Sequence, residues 1–565
     1  MMHFAIWHII FVNKTPRAAL NSHDGEVYMK ILACVMMTIV SASVAAAQTT
    51  SDAIWQSYVK NPDNHPNIPN VSYAGYAAGE KPLPEPKVVV SVADHGAKGD
   101  DTSDDTKAFA AALEAAAKAG GGAVVVPAGS YRIEGMLHMK YDNVVLRGEA
   151  KETTTIEFIN PLQTVVGRFM HEGKSAWSWS GGLVWFGPAD TFDANGKMVS
   201  LGGVGQPNWE YWRPGSKLSS VKGPHPAGTK TITVDNAAGL KAGDMVLMSW
   251  ANPADFSLLK AVTGHERMNA YNWASASWIT SQNYPRWQWP VLIEKVAGNQ
   301  VTLKQPIRID IRPEWTVEIH ALGTHVKNSG IENLTLKFNA PMGHRHLTNE
   351  GDNALYFNRA YNCFARNLEI KSTENGVNLA AAKHITVSNI KFTGPEQHHH
   401  TLACRVNSHD NLFEKFVVDG PQRVKHGINT EWLSSGNVWR DGIMKKGIFD
   451  SHRAISFDSV RTNITLRNDA DGPGGAGPAG PFLGKRVVHW NIKIEDSPRP
   501  IPGEFVYQPD LHPMGAFVGI QGATRVNGTN KLTADGDKGS LVADEGKVPA
   551  IKDLYEAQLK LRLGK

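Results

Sequence analysis

Seven short segments of this chain begin with asparagine and run on as β-prone residues. Asn333-Leu334-Thr335-Leu336, Asn367-Leu368-Glu369-Ile370 and Asn389-Ile390-Lys391-Phe392 open the series. Asn411-Leu412-Phe413, Asn437-Val438-Trp439, Asn463-Ile464-Thr465-Leu466 and Asn491-Ile492-Lys493-Ile494 continue it, at steps of 34, 22, 22, 26, 26 and 28 residues. A period of about 20–30 residues with one short strand per repeat is the mark of a solenoid. A second column keeps time with the first: Asn353, Asn375, His400, His426 and His452, at steps of 22, 25, 26 and 26. Two columns in register require at least two strands per coil, and each coil can bury its apolar face only against its neighbours. The expected fold is all-β, a right-handed parallel β-helix.

The 565 residues are 42% hydrophobic and 20% charged, which supports a large core and excludes a disordered chain. Formal net charge is +4, too small to argue for nucleic acid. What matters for an acidic ligand is the field within a groove. Met29-Lys30, an apolar run from Ile31 to Val40 and small residues at Ala45 and Ala47 read as a secretory signal, too short for a comfortable membrane span. The product is then secreted or periplasmic. Cys363 and Cys404 fall on apolar solenoid positions and read as buried free thiols.

The chain divides into an upstream extension and signal (1–47), a polar arm (48–87), an N-terminal cap with the first coils (88–160), a Trp-rich insert (161–325), the main coils (326–498) and a C-terminal tail (499–565). In the cap, Thr102 with Asp105 three residues on resembles a capping box opening a helix that Gly120-Gly121-Gly122 stops. In the insert, 228–234, 243–248 and 296–304 read as strands of a small antiparallel module. Eleven of the sixteen tryptophans lie in 161–325. They either pack the core of an irregular insert or stack on sugar rings, as broad amphipathic indoles do.

Side chains alternate along a strand. If Leu355, Val377, Leu402 and Ile428 point inward, then Asp352, Glu374, His399, Lys425 and Ser451 form one outward row. Tyr356, Asn378, Ala403, Asn429 and Ile455 form another, and Asn358, Ala380, Arg405, Glu431 and Phe457 a third. Coils sit about 4.8 Å apart, so His399, Arg405, Lys425, Asn429, Glu431 and Arg453 would share one long, shallow patch. The His398-His399-His400 triplet suggests a metal, but alternation sends neighbouring side chains to opposite faces. The Asn/His column itself reads as a turn ladder.

Gly99-Asp100-Asp101, Asp104-Asp105-Thr106, Gly120-Gly121-Gly122 with Val124-Val125-Val126-Pro127-Ala128-Gly129, and Asn143-Val144-Val145-Leu146-Arg147-Gly148 resemble the opening segment of the pectate-lyase-like β-helix superfamily. The resemblance implies a capping helix at the N-terminal end of the solenoid and a polysaccharide ligand. It identifies a scaffold shared by many chemistries. β-Elimination of a uronate needs the carboxylate neutralised, a base for the C5 proton and an acid for the leaving oxygen. Lys425, Arg453, His399, Arg405 and Glu431 are the candidate catalytic residues. Asn429, Asn378, Glu374, Tyr356 and Trp432 are the candidate substrate-binding ones. Lys425 and Arg453 are similar in spacing to the Lys/Arg pair of some lyases of the superfamily. Hydrolysis by two carboxylates among Glu431, Asp450, Asp458, Glu374 and Asp352 is the alternative, and a non-catalytic carbohydrate-binding or adhesin-like β-helix the second. The Ca2+-dependent pectate lyase pattern is not evident, so no cofactor is expected; monomer and homo-oligomer both stay open.

Overall fold

The computed structural model describes residues 50–199, 210–264, 271–280, 287–341, 347–395, 399–419, 426–445, 447–467, 474–495, 512–522 and 539–565. All belong to one compact unit, Thr49–Lys565. The expected signal lies outside them, and so do Lys425, His398 and Trp209. None of the described helices is long and apolar enough to cross a membrane.

Parallel strands stack coil upon coil. One sheet runs through Gly122–Val126, Val144–Gly148, Gly330–Lys337, Phe364–Lys371, Thr386–Thr393, Leu412–Glu414, Val438–Met444, Val460–Arg467, Val488–Glu495, Ala516–Gln521 and Leu541–Ala543. A second runs through Leu137–Met139, Val184–Phe186, Asn353–Tyr361, Asn375–Lys383, Leu402–Arg405, Ile428–Thr430 and Phe449–Ser451. Leu355, Val377, Leu402 and Ile428 pair in register and are buried, as alternation requires. Rings stack along the axis too: Phe186 lies 4.3 Å from Phe357 between centroids. This is the parallel β-helix that the repeat predicts. Val184–Phe186, inside the 161–325 segment, is a solenoid strand, and the 499–565 tail adds two more.

The asparagine series separates into two columns. Asn333, Asn367, Asn389, Asn463 and Asn491 share one corner with Lys415, Asp441 and Gly519, and all eight have φ between 51° and 66°. Asparagine tolerates this left-handed conformation better than other side chains. Its amide also links the coils: Asn367 Nδ2 donates to Asn333 Oδ1 at 2.8 Å and Asn389 Nδ2 to Asn367 Oδ1 at 3.0 Å. Asn411 and Asn437 occupy a different, buried rung and bond to each other at 2.9 Å. Asn389→Ala puts alanine at φ 55° and removes one link. We expect it to cost about 1–2 kcal/mol of stability, read as a lower urea midpoint with unchanged m.

The segment 214–322 holds a closed antiparallel barrel of Pro214–Lys222, Thr231–Val234, Met245–Trp250, Trp287–Ala297, Gln300–Leu303 and Val317–Leu322. Most of the tryptophans are core: Trp177, Trp185, Trp212, Trp250, Trp287 and Trp289 are fully buried. At the N-terminus, helix Thr106–Lys118 buries Phe109, Ala112, Leu113 and Ala116 against the first coils. The capping box expected from Thr102 and Asp105 does not form. Thr102 lies in strand Asp100–Asp104, and the Asp105 carboxylate accepts the backbone N–H groups of Lys98 and Gly99 instead. The tight turn ahead of the helix consumes the cap.

The arm begins with helix Ser51–Lys60 and meets the C-terminal helix Leu554–Leu563. Tyr555 Oη donates to the Ala74 carbonyl, and Gln558 both donates to Pro69 O and accepts from Val71 N. Together they cover Val438, Val460, Val488 and Trp490 on the first sheet. Cys363 and Cys404 are buried free thiols.

Candidate active site

The second sheet positions the site. Tyr356, Asn378, Ala403, Asn429 and Asp450 form one row of paired residues. The sequence places Ile455 in the last position. Ile428 instead pairs with Phe449, a step of 21 residues, so Asp450 follows Asn429. The residues this releases, Arg453, Ala454 and Ile455, form a left-handed turn with φ of 71°, 58° and 58°.

Arg405, at the end of its strand, is the electrostatic centre. Its Nη1 donates to Glu210 at 2.6 Å and to the Trp179 carbonyl at 2.7 Å, and its Nε pairs with Glu431. Glu210 also accepts from Tyr356 Oη at 2.8 Å and from Ser180 Oγ. One guanidinium therefore serves two carboxylates, all three groups at most 3% exposed. Burial raises the Glu431 pKa, and the Glu210 charge adds to that rise; Arg405 opposes it without cancelling it.

Beside this pair stand four imidazoles. His399 and His400 have ring centroids 4.4 Å apart, His400 and His426 5.1 Å, His400 and His452 5.0 Å, and His426 and His452 4.1 Å. Asp450 Oδ2 lies 2.7 Å from His452 Nδ1 and 3.2 Å from His426 Nδ1. The expectation that His399 and His400 face apart is overturned, because these residues form a bend before strand Leu402–Arg405 and do not continue it. The ladder reading of the column holds in part: Asn375 Nδ2 donates to Asn353 Oδ1, and the His400 and His426 rings stack.

His399, His400, Arg405, Glu431, Trp432 and His452 line a cavity of about 320 Å³ that is open to solvent on one side and flanked by His171, Lys174, Trp179, Trp278, Gly475 and Ala479. Trp278 stacks on Trp432 at 6.2 Å. Trp179 and Trp278 are the half-buried members of the tryptophan-rich segment that face it.

The other expected residues stand elsewhere. Arg453 does not line the cavity: it donates to the carbonyls of Gly475 and Gly480 and lies 3.9 Å over the Phe482 ring, latching the covering loop. Arg453 therefore lies in a turn and not on a strand, and its expected partner Lys425 is outside the described residues. Tyr356, Asn378, Asn429 and Glu374 are buried and bonded within the protein, not offered on an open face. Asn378 donates to Trp179 O, Asn429 accepts from His452 N, and Glu374 accepts from Gly351 N and Asp352 N. The shallow groove expected from the coils is covered by 171–180, Glu210 and 474–479. His400, His452 and Trp179 are outside the catalytic and binding sets read from the sequence, and Asp450 entered only as a carboxylate of the hydrolytic alternative. The His column is the signal that could have found two of them.

Gly474 N donates to Asp450 Oδ1 at 3.2 Å, and a Cβ at Gly474 would collide with the His452 and His426 rings. Gly474→Ala is therefore expected to lower turnover at least tenfold with less than a few degrees of change in Tm, measured by paired kinetics and thermal melts.

Residues 89–197 match the family model "Rhamnogalacturonase A/epimerase, pectate lyase-like". Alginate lyase 7 of Azotobacter vinelandii is 43% identical over 77 residues, 12% of this chain and 9% of that protein. Mannuronan C5-epimerase AlgE3 of the same organism is 43% identical over 85 residues, 14% of this chain and 5% of that one. The chain thus spans less than a tenth of the length of these curated relatives. Among solved structures, the tailspike protein gp49 from Pseudomonas phage LKA1 gives a TM-score of 0.44 at 14% identity, covering 77% of this chain and 64% of that one. The matched opening segment and the stacked coils behind it agree: the chain is a parallel β-helix whose residues 89–197 are similar to the pectate-lyase-like family.

Proposed function

We propose that this chain is a secreted or periplasmic enzyme that cleaves a uronic-acid-containing polysaccharide by β-elimination in this cavity. The observation that carries the reading is a buried carboxyl, Glu431, whose pKa burial raises, and an imidazole of fixed tautomer, His399, on one tryptophan-walled cavity. His399 Nδ1–H donates to the Ser178 carbonyl, which makes Nε2 the basic nitrogen. In the proposed step His399 Nε2 takes the C5 proton. The C5–H electron pair becomes the C4–C5 double bond, the C4–O4 bond breaks, and Glu431 protonates O4. Exposed Lys174 supplies positive charge for the uronate carboxylate, and Trp179, Trp278 and Trp432 offer faces for sugar rings.

The similarity of short segments to an alginate lyase and to mannuronan epimerases supports a uronate polymer as the substrate class. Hydrolysis by paired carboxylates draws less support, because Glu210, the carboxylate beside Glu431, is fully buried and bonded to Arg405, Tyr356 and Ser180. The purified chain should be incubated with alginate, pectate, ulvan, glycosaminoglycans and neutral glucans. Ultraviolet absorbance of an unsaturated uronate should grow with one of the acidic polymers. New reducing ends without that absorbance would mark a hydrolase, and binding with neither would mark a carbohydrate-binding solenoid.

A further inference from the structure

We propose that His400, Asp450 and His452 form a binding site for a divalent transition-metal ion, with Zn2+ the class of ion that fits best. This does not rest on the lyase reading. One ligand atom from each of the three residues lies within 4.8 Å of the others. A tetrahedral ion with bonds of about 2.1 Å holds its ligands about 3.4 Å apart, inside that limit.

The second observation is His400 itself. Its ring is fully buried and neither nitrogen has a hydrogen-bond partner. A buried imidazole with both nitrogens unsatisfied is costly unless something else occupies them. A structural ladder does not require this: Asn353 and Asn375, at the same rung position, bond to each other and to backbone carbonyls. Where the column changes from asparagine to histidine, the amide-to-amide ladder ends and the rings gather around one carboxylate. Asp450 is fixed from outside the cluster by the Gly474 N–H on Oδ1, which leaves Oδ2 directed at His452 and His426. Holding the ligands from behind in this way is how protein metal sites are oriented. His426, with its ring 4.1 Å from that of His452, is within reach as a further nitrogen donor.

The donor set selects the ion. Two or three imidazole nitrogens and one carboxylate oxygen suit Zn2+ and its first-row neighbours, whereas Ca2+ and Mg2+ prefer all-oxygen sites with more ligands. His400 and His452 also line the cavity, so the bound ion would sit in its wall.

The test uses tag-free full chain, stripped with chelator and dialysed against Zn2+ or Co2+ in micromolar excess, then gel-filtered. The expected result is close to one equivalent of metal per chain by mass spectrometry, and a Co2+ complex with the intense visible absorption of a low-coordinate nitrogen/oxygen site. His400→Ala with His452→Ala should lose at least tenfold in affinity, and His95→Ala, at an exposed histidine, should lose none. Wild-type protein that retains well below one equivalent overturns the proposal. So does a weak, aqua-like Co2+ spectrum, or full metal content in the double variant. The wild-type measurements decide the matter even if the double variant does not fold, and stoichiometry is independent of whether the polymer is cleaved by elimination.

Discussion

Glu431→Gln is expected to abolish turnover by about 100- to 10,000-fold, the range over which a positioned acid contributes, while leaving the fold in place. Glutamine keeps the size of the side chain and an oxygen for Arg405 but has no transferable proton. Wild-type activity should depend on pH with a definite sign. Burial and the neighbouring Glu210 carboxylate raise the Glu431 pKa, so the acid form persists to higher pH than an ordinary glutamate allows. Turnover should be present below that raised value and fall as pH rises through it. The pH–rate profile of kcat/KM measures this limb. Residual Glu431→Gln activity, if any, should lack it. An unchanged profile in the variant would remove Glu431 from the chemistry.

The second large effect is on stability. Arg405→Met deletes the guanidinium that Glu210 and Glu431 share and leaves two carboxylates inside the protein without their cation. Breaking a buried pair by removing one partner costs about 3–5 kcal/mol, and here two carboxylates lose the same partner. Denaturant unfolding of the variant should show a loss of at least that order. Removing the anions as well, with Glu210→Gln and Glu431→Gln in the same chain, should return most of it. If Arg405→Met alone is neutral, the three groups are not the buried network that the geometry describes.

How far the sequence could be read follows from which contacts are periodic. The coils, their approximate registers and the outward rows from Tyr356 to Asn429 repeat at similar steps, so counting finds them. The left-handed corners explain why asparagine marks the strands. Counting fails where a coil changes length. Extending the 26-residue step from His426 to His452 moves the last rung past Asp450, because the chain completes that coil in 21 residues and places Arg453 in a turn. It also fails where a face is covered from elsewhere. Glu210 lies 195 residues from Arg405 in the chain, and the 171–180 segment reaches the patch from before the barrel. No period connects either to the rung it covers. An open groove is the natural expectation from the coils alone, and burial of Tyr356, Asn378 and Asn429 is the result of those distant segments. Alternation, likewise, is a property of extended backbone. It holds for Leu402–Arg405 and breaks at His399-His400, which bend into one cluster.

Elimination is tested most directly by what leaves the cavity. Oligosaccharides released from a uronate polymer by elimination carry an unsaturated non-reducing end and are one water lighter than hydrolytic fragments of the same length. The mass spectrum of the products should show the lighter series with the wild-type chain and lose it with folded Glu431→Gln protein. Fragments at the hydrolytic masses, or an undiminished lighter series from the variant, would contradict it.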